Sequence, residues 1–122
     1  MKQSCRLAPP NSIFFIEDAA GAELPPIDGK APRIWASQNG IIVGCLSFMD
    51  GETEFTASDS AEDAAHSIPT FSGDVATPSG SIEVSTSERE VLLRIPVAGA
   101  VTRVRIWTNH PSEPDQILAV FG

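Results

Sequence analysis

Apolar and polar residues alternate along most of this chain with a period of two, which is the repeat of a β-strand buried on one face. In residues 52–57, Phe55 and Ala57 share one face of such a strand. Glu52 and Glu54 share the opposite face. Alternation or a β-rich apolar composition predicts seven strands, over residues 12–17, 41–48, 52–57, 81–86, 90–95, 101–108 and 116–121, and a less regular eighth over residues 70–75.

Residues that favour turns separate these segments. The Met-Asp-Gly sequence at residues 49–51 predicts a tight hairpin between strands 41–48 and 52–57, because glycine adopts the positive φ that such turns require. Many short strands with turns between them are typical of an all-β fold, and we predict an antiparallel β-sandwich of seven to eight strands. At most one short helix is expected, since residues 60–65 fit either one or two helical turns or a mobile acidic loop.

The chain of 122 residues is expected to form one β-sandwich domain over residues 1–122, with a flexible tail at residues 1–11. Cys5 lies in the polar tail and Cys45 in an apolar run, so we expect two free thiols and a reducing compartment. No segment approaches the roughly 20 apolar residues of a membrane-spanning helix. The expected location is cytoplasmic, without a membrane partner.

Charge is distributed unevenly along the chain. The net charge is −8, and between Arg33 and Arg89 there are nine carboxylates and no lysine or arginine. An acidic surface repels nucleic acid and anionic membrane and attracts basic proteins, mainly by raising the association rate. We therefore expect a basic protein partner and no nucleic acid. The candidate partner-binding residues are Asp50, Glu52, Glu54, Asp59, Glu62, Asp63 and Trp107.

Trp107 belongs to this set because of its neighbours. Arg103 and Arg105 share its face of the predicted strand 101–108. Their guanidinium groups can stack on the indole ring or pair with the acidic segment. Tryptophan is also enriched among the residues that contribute most to the stability of protein interfaces.

The chain contains no motif that specifies a reaction. Neither a Gly-x-Ser-x-Gly nor a Gly-x-x-x-x-Gly-Lys sequence occurs, and the only histidines, His66 and His110, fall in predicted loops. Closely spaced Cys or His ligands for zinc are also absent. We predict no catalytic residue, no metal-ligating residue and no cofactor. The carboxylates of residues 50–63 leave calcium binding open, although their spacing does not match an EF-hand loop.

The order of several segments is informative. In the C-terminal half, a strand ends in a hydrophobic residue and Pro96, the chain turns at Gly99, and a strand with Trp107-Thr108 returns. In the N-terminal half, an opening strand, a double-proline connector and a second strand follow one another. These segments are residues 13–16, 25–26, 40–42, 82–84, 92–96 and 105–108. Over residues 12–109 the chain resembles the competence protein J (ComJ) family.

Members of that family are small acidic β-sandwich proteins that inhibit a DNA-entry nuclease. The resemblance implies an inhibitor or immunity-type protein whose acidic surface imitates the phosphate charge that a basic nuclease cleft accommodates. The function predicted here is a non-enzymatic acidic binding protein. The alternative is a calcium-dependent ligand- or membrane-binding β-sandwich. An enzyme whose site forms only in three dimensions and a homo-oligomeric building block also stay open.

Overall fold

Two five-stranded β-sheets face each other in the structure, a computed structural model that describes residues 1–21 and 23–122. The strands are β1 (Lys2–Leu7), β2 (Ile13–Asp18), β3 (Ile34–Ala36), β4 (Gly40–Gly44), β5 (Thr53–Ser58), β6 (Phe71–Ala76), β7 (Ser81–Ser85), β8 (Val91–Pro96), β9 (Val101–Thr108) and β10 (Gln116–Phe121). The described residues contain one 3-10 turn, at Pro10–Ser12, and no α-helix. The predicted all-β sandwich is confirmed, with ten strands where seven to eight are predicted, because β1 and β3 also form.

Sheet A has the strand order β1-β5-β10-β9-β6, and sheet B has the order β3-β4-β2-β7-β8. The described strand pairs are antiparallel except β5 and β10, which run parallel. Parallel neighbours need a long connection. Between β5 and β10 the chain passes through β6, crosses to β7 and β8 of sheet B, and returns through β9.

Side chains of both sheets fill the space between them. Phe55 of β5 and the apolar pair Val104 and Ile106 of β9 are fully buried, on the faces that the alternation predicts. The rings of Phe55 and Phe14, which belong to opposite sheets, have centroids 5.0 Å apart. Full burial of such a side chain contributes about 1.5–3 kcal/mol to stability.

The outer face of sheet B is covered as well. Ile13, Phe15, Trp35 and Ile42 form a second buried apolar cluster. Leu24, from the connector between β2 and β3, packs against this cluster. Strands β2 and β4 are consequently buried on both faces, as their uninterrupted apolar sequences predict.

Two arginines lie over aromatic rings of this outer face. The guanidinium carbon of Arg89 is 5.3 Å from the ring centroid of Phe15, and that of Arg33 is 5.7 Å from the ring of Trp35. Arg89 Nη1 also donates a hydrogen bond of 2.7 Å to Glu17 Oε1. Glu17 is 5% exposed, and its Oε2 has no hydrogen-bond partner in the described part of the chain. A buried carboxylate needs such compensation, so Glu17 depends on Arg89.

The flexible tail predicted for residues 1–11 is wrong for residues 2–7, which form the edge strand β1. Cys5 and Leu7 pack against the main core while Arg6, between them, is exposed. The segment therefore has the period-two pattern of a strand, and its polar composition obscures that pattern. β1 pairs with β5 along its whole length.

The hairpin predicted at residues 49–51 is also wrong. β4 ends at Gly44 in sheet B, and β5 begins at Thr53 in sheet A, so residues 45–52 cross from one sheet to the other. Leu46 N donates a hydrogen bond of 2.8 Å to Pro114 O, and the backbone thus leaves the ladder of sheet B within two residues of Gly44.

Cys5 and Cys45 are free thiols, as predicted. Burial raises the pKa of both thiols. A raised pKa keeps a thiol protonated near neutral pH and slows its reactions, because the thiolate is the nucleophile. Among the described helices, none has the length and apolar content needed to cross a membrane.

Asp18 fastens the end of β2 to the turn before β7. The residue is 3% exposed, its Oδ2 accepts a hydrogen bond of 3.0 Å from Ala20 N, and its Oδ1 accepts bonds from Ser79 Oγ at 2.8 Å and Ser79 N at 3.1 Å. Burial alone raises the pKa of a carboxyl group, but these hydrogen bonds outweigh it and lower the pKa of Asp18 below its usual 3.8.

We expect the substitution Asp18→Asn to lower the free energy of unfolding by about 1–2 kcal/mol at neutral pH, because an amide oxygen accepts weaker hydrogen bonds than a carboxylate. The folded-state pKa lies below the unfolded one, so this stabilisation is present above about pH 4 and is lost as the pH falls further. Urea unfolding should therefore show wild type and variant converging between about pH 5 and pH 2. A constant difference over that range would contradict this role.

Candidate functional site

Residues 59–70, named here the acidic loop, connect β5 to β6. β6 is the edge strand of sheet A on the side away from β1. The described backbone has no helix in this loop, so the helical alternative predicted for residues 60–65 is wrong. Trp107 of β9 is 7% exposed, and its Nε1 donates a hydrogen bond of 2.9 Å to the carbonyl oxygen of His66. The loop therefore passes over the outer face of sheet A, and Trp107 holds it there instead of presenting a free surface.

Met1 and Lys2, where β1 begins, supply cations to the acidic loop. Lys2 Nζ lies 2.7 Å from Asp63 Oδ2, and the amino group of Met1 lies 3.0 Å from Asp59 Oδ1. The hydrogen bond that Lys2 donates to Asp63 raises the pKa of Lys2, and the hydrogen bond that the Met1 amino group donates to Asp59 lowers the pKa of Asp59. Two of the three candidate acids in this loop are thus neutralised within the molecule.

The remaining candidate acids follow a different pattern. Glu54, on the outer face of β5, lies 3.6 Å from Arg6 Nη2 of β1. Asp50 and Glu52 are exposed in the connection that precedes β5. Together with Glu62, they form no ion pair within 4.0 Å in the described part of the chain.

The six candidate acids therefore do not form one continuous cluster. Asp50, Glu52 and Glu54 lie at the beginning of β5, and the acidic loop follows its end. Glu54, however, lines the same cleft as Asp63 of the acidic loop, so Glu54 belongs with that loop, and Asp50 and Glu52 form the second group. Negative charge without a nearby cation is found mainly at the beginning of β5. In the acidic loop, which follows the end of β5, Met1 and Lys2 compensate Asp59 and Asp63.

A cleft of about 420 Å³ lies between the acidic loop and sheet A. Thr56, Leu118 and Trp107 contribute to its lining from the sheet, and His66 and Ile68 from the loop. Apolar and polar groups are mixed in this lining. Trp107 and the acidic loop, which the sequence assigns to one partner-binding surface, therefore line the same cleft.

The histidines are not part of a hydrogen-bonded Ser-His-Asp arrangement in the described residues. His110 Nδ1 accepts hydrogen bonds from the backbone N–H groups of Ser112, at 3.2 Å, and Glu113, at 2.9 Å, and so orders its own loop. The described residues contain no group of three or more His, Cys, Asp or Glu side chains arranged to hold a metal ion.

The arginines of β9 take both of the arrangements that the sequence suggests. The guanidinium carbon of Arg105 lies 5.7 Å from the ring centroid of Trp107. Arg103 Nε lies 2.6 Å from Asp74 Oδ1 across the β6–β9 pair. Charges of opposite sign therefore meet on the outer face of sheet A, at the β6 edge.

The end of the sandwich where β5 begins carries a feature that sequence reasoning missed. Phe48 is 52% exposed and Met49 is 80% exposed at the tip of residues 46–52, named here the 46–52 turn. The sequence assigns Phe48 to a strand, although an apolar pair next to Asp50-Gly51 is also compatible with an exposed tip. The turn places this apolar pair directly beside Asp50.

A solved structure has the same fold as this chain. The crystal structure of ComJ, inhibitor of the DNA degrading activity of NucA, from Bacillus subtilis, matches with a TM-score of 0.66 and 10% sequence identity. The match covers 98% of this chain and 93% of that chain. The resemblance to ComJ is thus confirmed at the level of the fold. No protein-family model and no curated protein sequence matches the chain.

Proposed function

We propose that the protein is a non-enzymatic inhibitor that binds a basic DNA-degrading nuclease through its acidic residues. The likeness of its fold to ComJ, over 98% of the chain, carries this proposal. The net charge of −8 supports it, because a nuclease cleft that binds DNA phosphates attracts an acidic protein.

The exposed carboxylates are suited to such a partner. Asp50, Glu52 and Glu62 have no cation within 4.0 Å in the described residues, so their charges are available to lysine and arginine side chains of another protein. Exposed charges of this kind act mainly by accelerating association and by selecting the partner.

The paired carboxylates remain accessible too. Glu54 and Asp63 pair with cations of β1 at the surface, and Asp59 pairs with the amino group of Met1. An exposed ion pair contributes at most about 1 kcal/mol, so a cation of the partner can replace the internal one at little cost. All six acids therefore contribute to the proposed interface, and the three unpaired ones contribute most.

The immobilised protein is expected to retain DNA-degrading activity from an extract of its source cells at about 50 mM salt and to release it at about 500 mM, because salt screens exposed charges. Free protein added to the released fraction should then inhibit DNA degradation with saturating stoichiometry. Degradation of linear DNA, followed by gel electrophoresis, measures both effects. Retention of no such activity, or retention without inhibition, would refute the proposal.

Two double variants with the same net charge control for non-specific electrostatics. Glu52→Gln with Glu62→Gln removes two unpaired acids of the proposed interface. Glu23→Gln with Glu90→Gln removes two exposed acids outside it. Only the first variant should weaken inhibition. An equal loss of inhibition in both variants would show that net charge, and not the position of these acids, determines binding.

A further inference from the structure

We propose that Phe48 and Met49 are the apolar anchors of the interface and insert into a hollow within the basic surface of the nuclease. The centre of the contact then lies on the 46–52 turn, and the acids of the acidic loop contribute long-range charge outside the apolar contact. This inference rests on the proposed function and adds to it the location and the chemistry of the contact.

The 46–52 turn exposes two adjacent large apolar side chains. Phe48 is 52% exposed and Met49 is 80% exposed, whereas the large apolar residues of the flanking strands β4 and β5 are buried. Aromatic residues and methionine are enriched in the centres of protein interfaces. The flexible thioether chain of methionine also adapts to irregular apolar hollows.

The 46–52 turn is held in place before any partner arrives. Asp50 N donates to Ser47 O at 2.8 Å, and this bond closes the tip. Leu46 N donates to Pro114 O at 2.8 Å, and Phe48 N donates to Ser12 Oγ at 2.9 Å. A tip that is already ordered loses less conformational entropy on binding, which favours affinity.

Charge identifies the kind of partner. Asp50 and Glu52 follow the apolar tip in the chain, and neither has a cation within 4.0 Å among the described residues. Glu113, exposed on the neighbouring 109–115 loop, adds a third carboxylate. An apolar tip with exposed, unpaired carboxylates beside it disfavours a second copy of itself and complements a basic surface with an apolar hollow.

The acidic loop provides a matched comparison at the other end of β5. Ile68 is 80% exposed, as Met49 is, but it has no exposed large apolar neighbour in the described sequence around it. Two of the acids in that loop, Asp59 and Asp63, are already paired with Met1 and Lys2. The 46–52 turn therefore combines more apolar area with less compensated charge.

The test measures inhibition of the DNA-degrading fraction that the wild-type protein retains from its source extract. Phe48→Ser with Met49→Ser should raise the half-inhibitory concentration about 30-fold or more, which corresponds to the loss of a hot spot. Ile68→Ser should change it less than about threefold. Both substitutions replace exposed side chains, so the melting temperatures should stay close to that of wild type.

Each outcome has one meaning. Wild-type inhibition with equal effects of the turn and Ile68 variants overturns the anchor and leaves the inhibitor intact. Absence of any wild-type inhibition overturns both proposals together. A wild-type dimer in solution that the turn variant converts to a monomer would assign Phe48 and Met49 to a homo-oligomeric contact and would also overturn the anchor.

Discussion

Replacing Trp107 with alanine is expected to lower the free energy of unfolding by about 3–5 kcal/mol and to release the acidic loop from sheet A. The indole is 7% exposed and bonds the carbonyl oxygen of His66, so the change removes both an apolar contact and a hydrogen bond. Urea unfolding measures the first effect. Limited proteolysis within residues 59–70 measures the second, because a released loop offers its backbone to the protease.

Trp107→Phe is the matched control. It retains most of the apolar area and removes the N–H donor with a small part of the ring, so the expected loss is about 1–2 kcal/mol. The acidic loop should then stay protected from proteolysis. If Trp107→Phe kept full stability and loop protection but abolished partner binding, Trp107 would belong to the interface itself, as the sequence alone suggests.

Strands with a one-sided pattern could be predicted well from the sequence. In β9, Val104 and Ile106 alternate with Arg103 and Arg105, and burial follows the same alternation. One apolar face is enough to fix such a strand, because a shift of one residue would expose it. β2 and β4 could also be recognised, since a short apolar run without alternation indicates burial on both faces.

Pairing between strands could not be predicted, because local pattern does not report which strands become neighbours. Residues 49–51 have the composition of a hairpin turn, yet the strands on either side belong to different sheets. The parallel pairing of β5 with β10 is equally invisible, since β10 follows β5 after four intervening strands. Only the packing of the two layers determines such neighbours.

The candidate site shows the same division. The acidic character of residues 50–63 follows directly from composition, but its compensation does not. Lys2 and Asp63 are 61 positions apart, and they meet only because β1 pairs with β5. Composition therefore identifies the acids, and topology decides which of them keep an uncompensated charge. That selection favours Asp50 and Glu52 over Asp59 and Asp63.

Replacing Arg89 with alanine is expected to lower the free energy of unfolding by about 2–3 kcal/mol, because it leaves the buried carboxylate of Glu17 without its cation. The guanidinium group donates a hydrogen bond of 2.7 Å to Glu17 Oε1, and it also lies over the ring of Phe15. Arg89 has a φ of +65°, a conformation that costs roughly 1 kcal/mol in residues other than glycine. Arg89→Gly should therefore be more stable than Arg89→Ala, although it lacks the same side chain.

A double-mutant cycle separates the ion pair from packing. In the Arg89→Ala background, Glu17→Gln should recover stability, because an uncharged amide is less costly to bury than an unpaired carboxylate. In the wild-type background the same change should be destabilising, since it weakens the bond to Arg89. Urea unfolding of the four proteins should give a coupling energy of at least about 1 kcal/mol. Additive effects would show that water, and not Arg89, compensates the charge of Glu17.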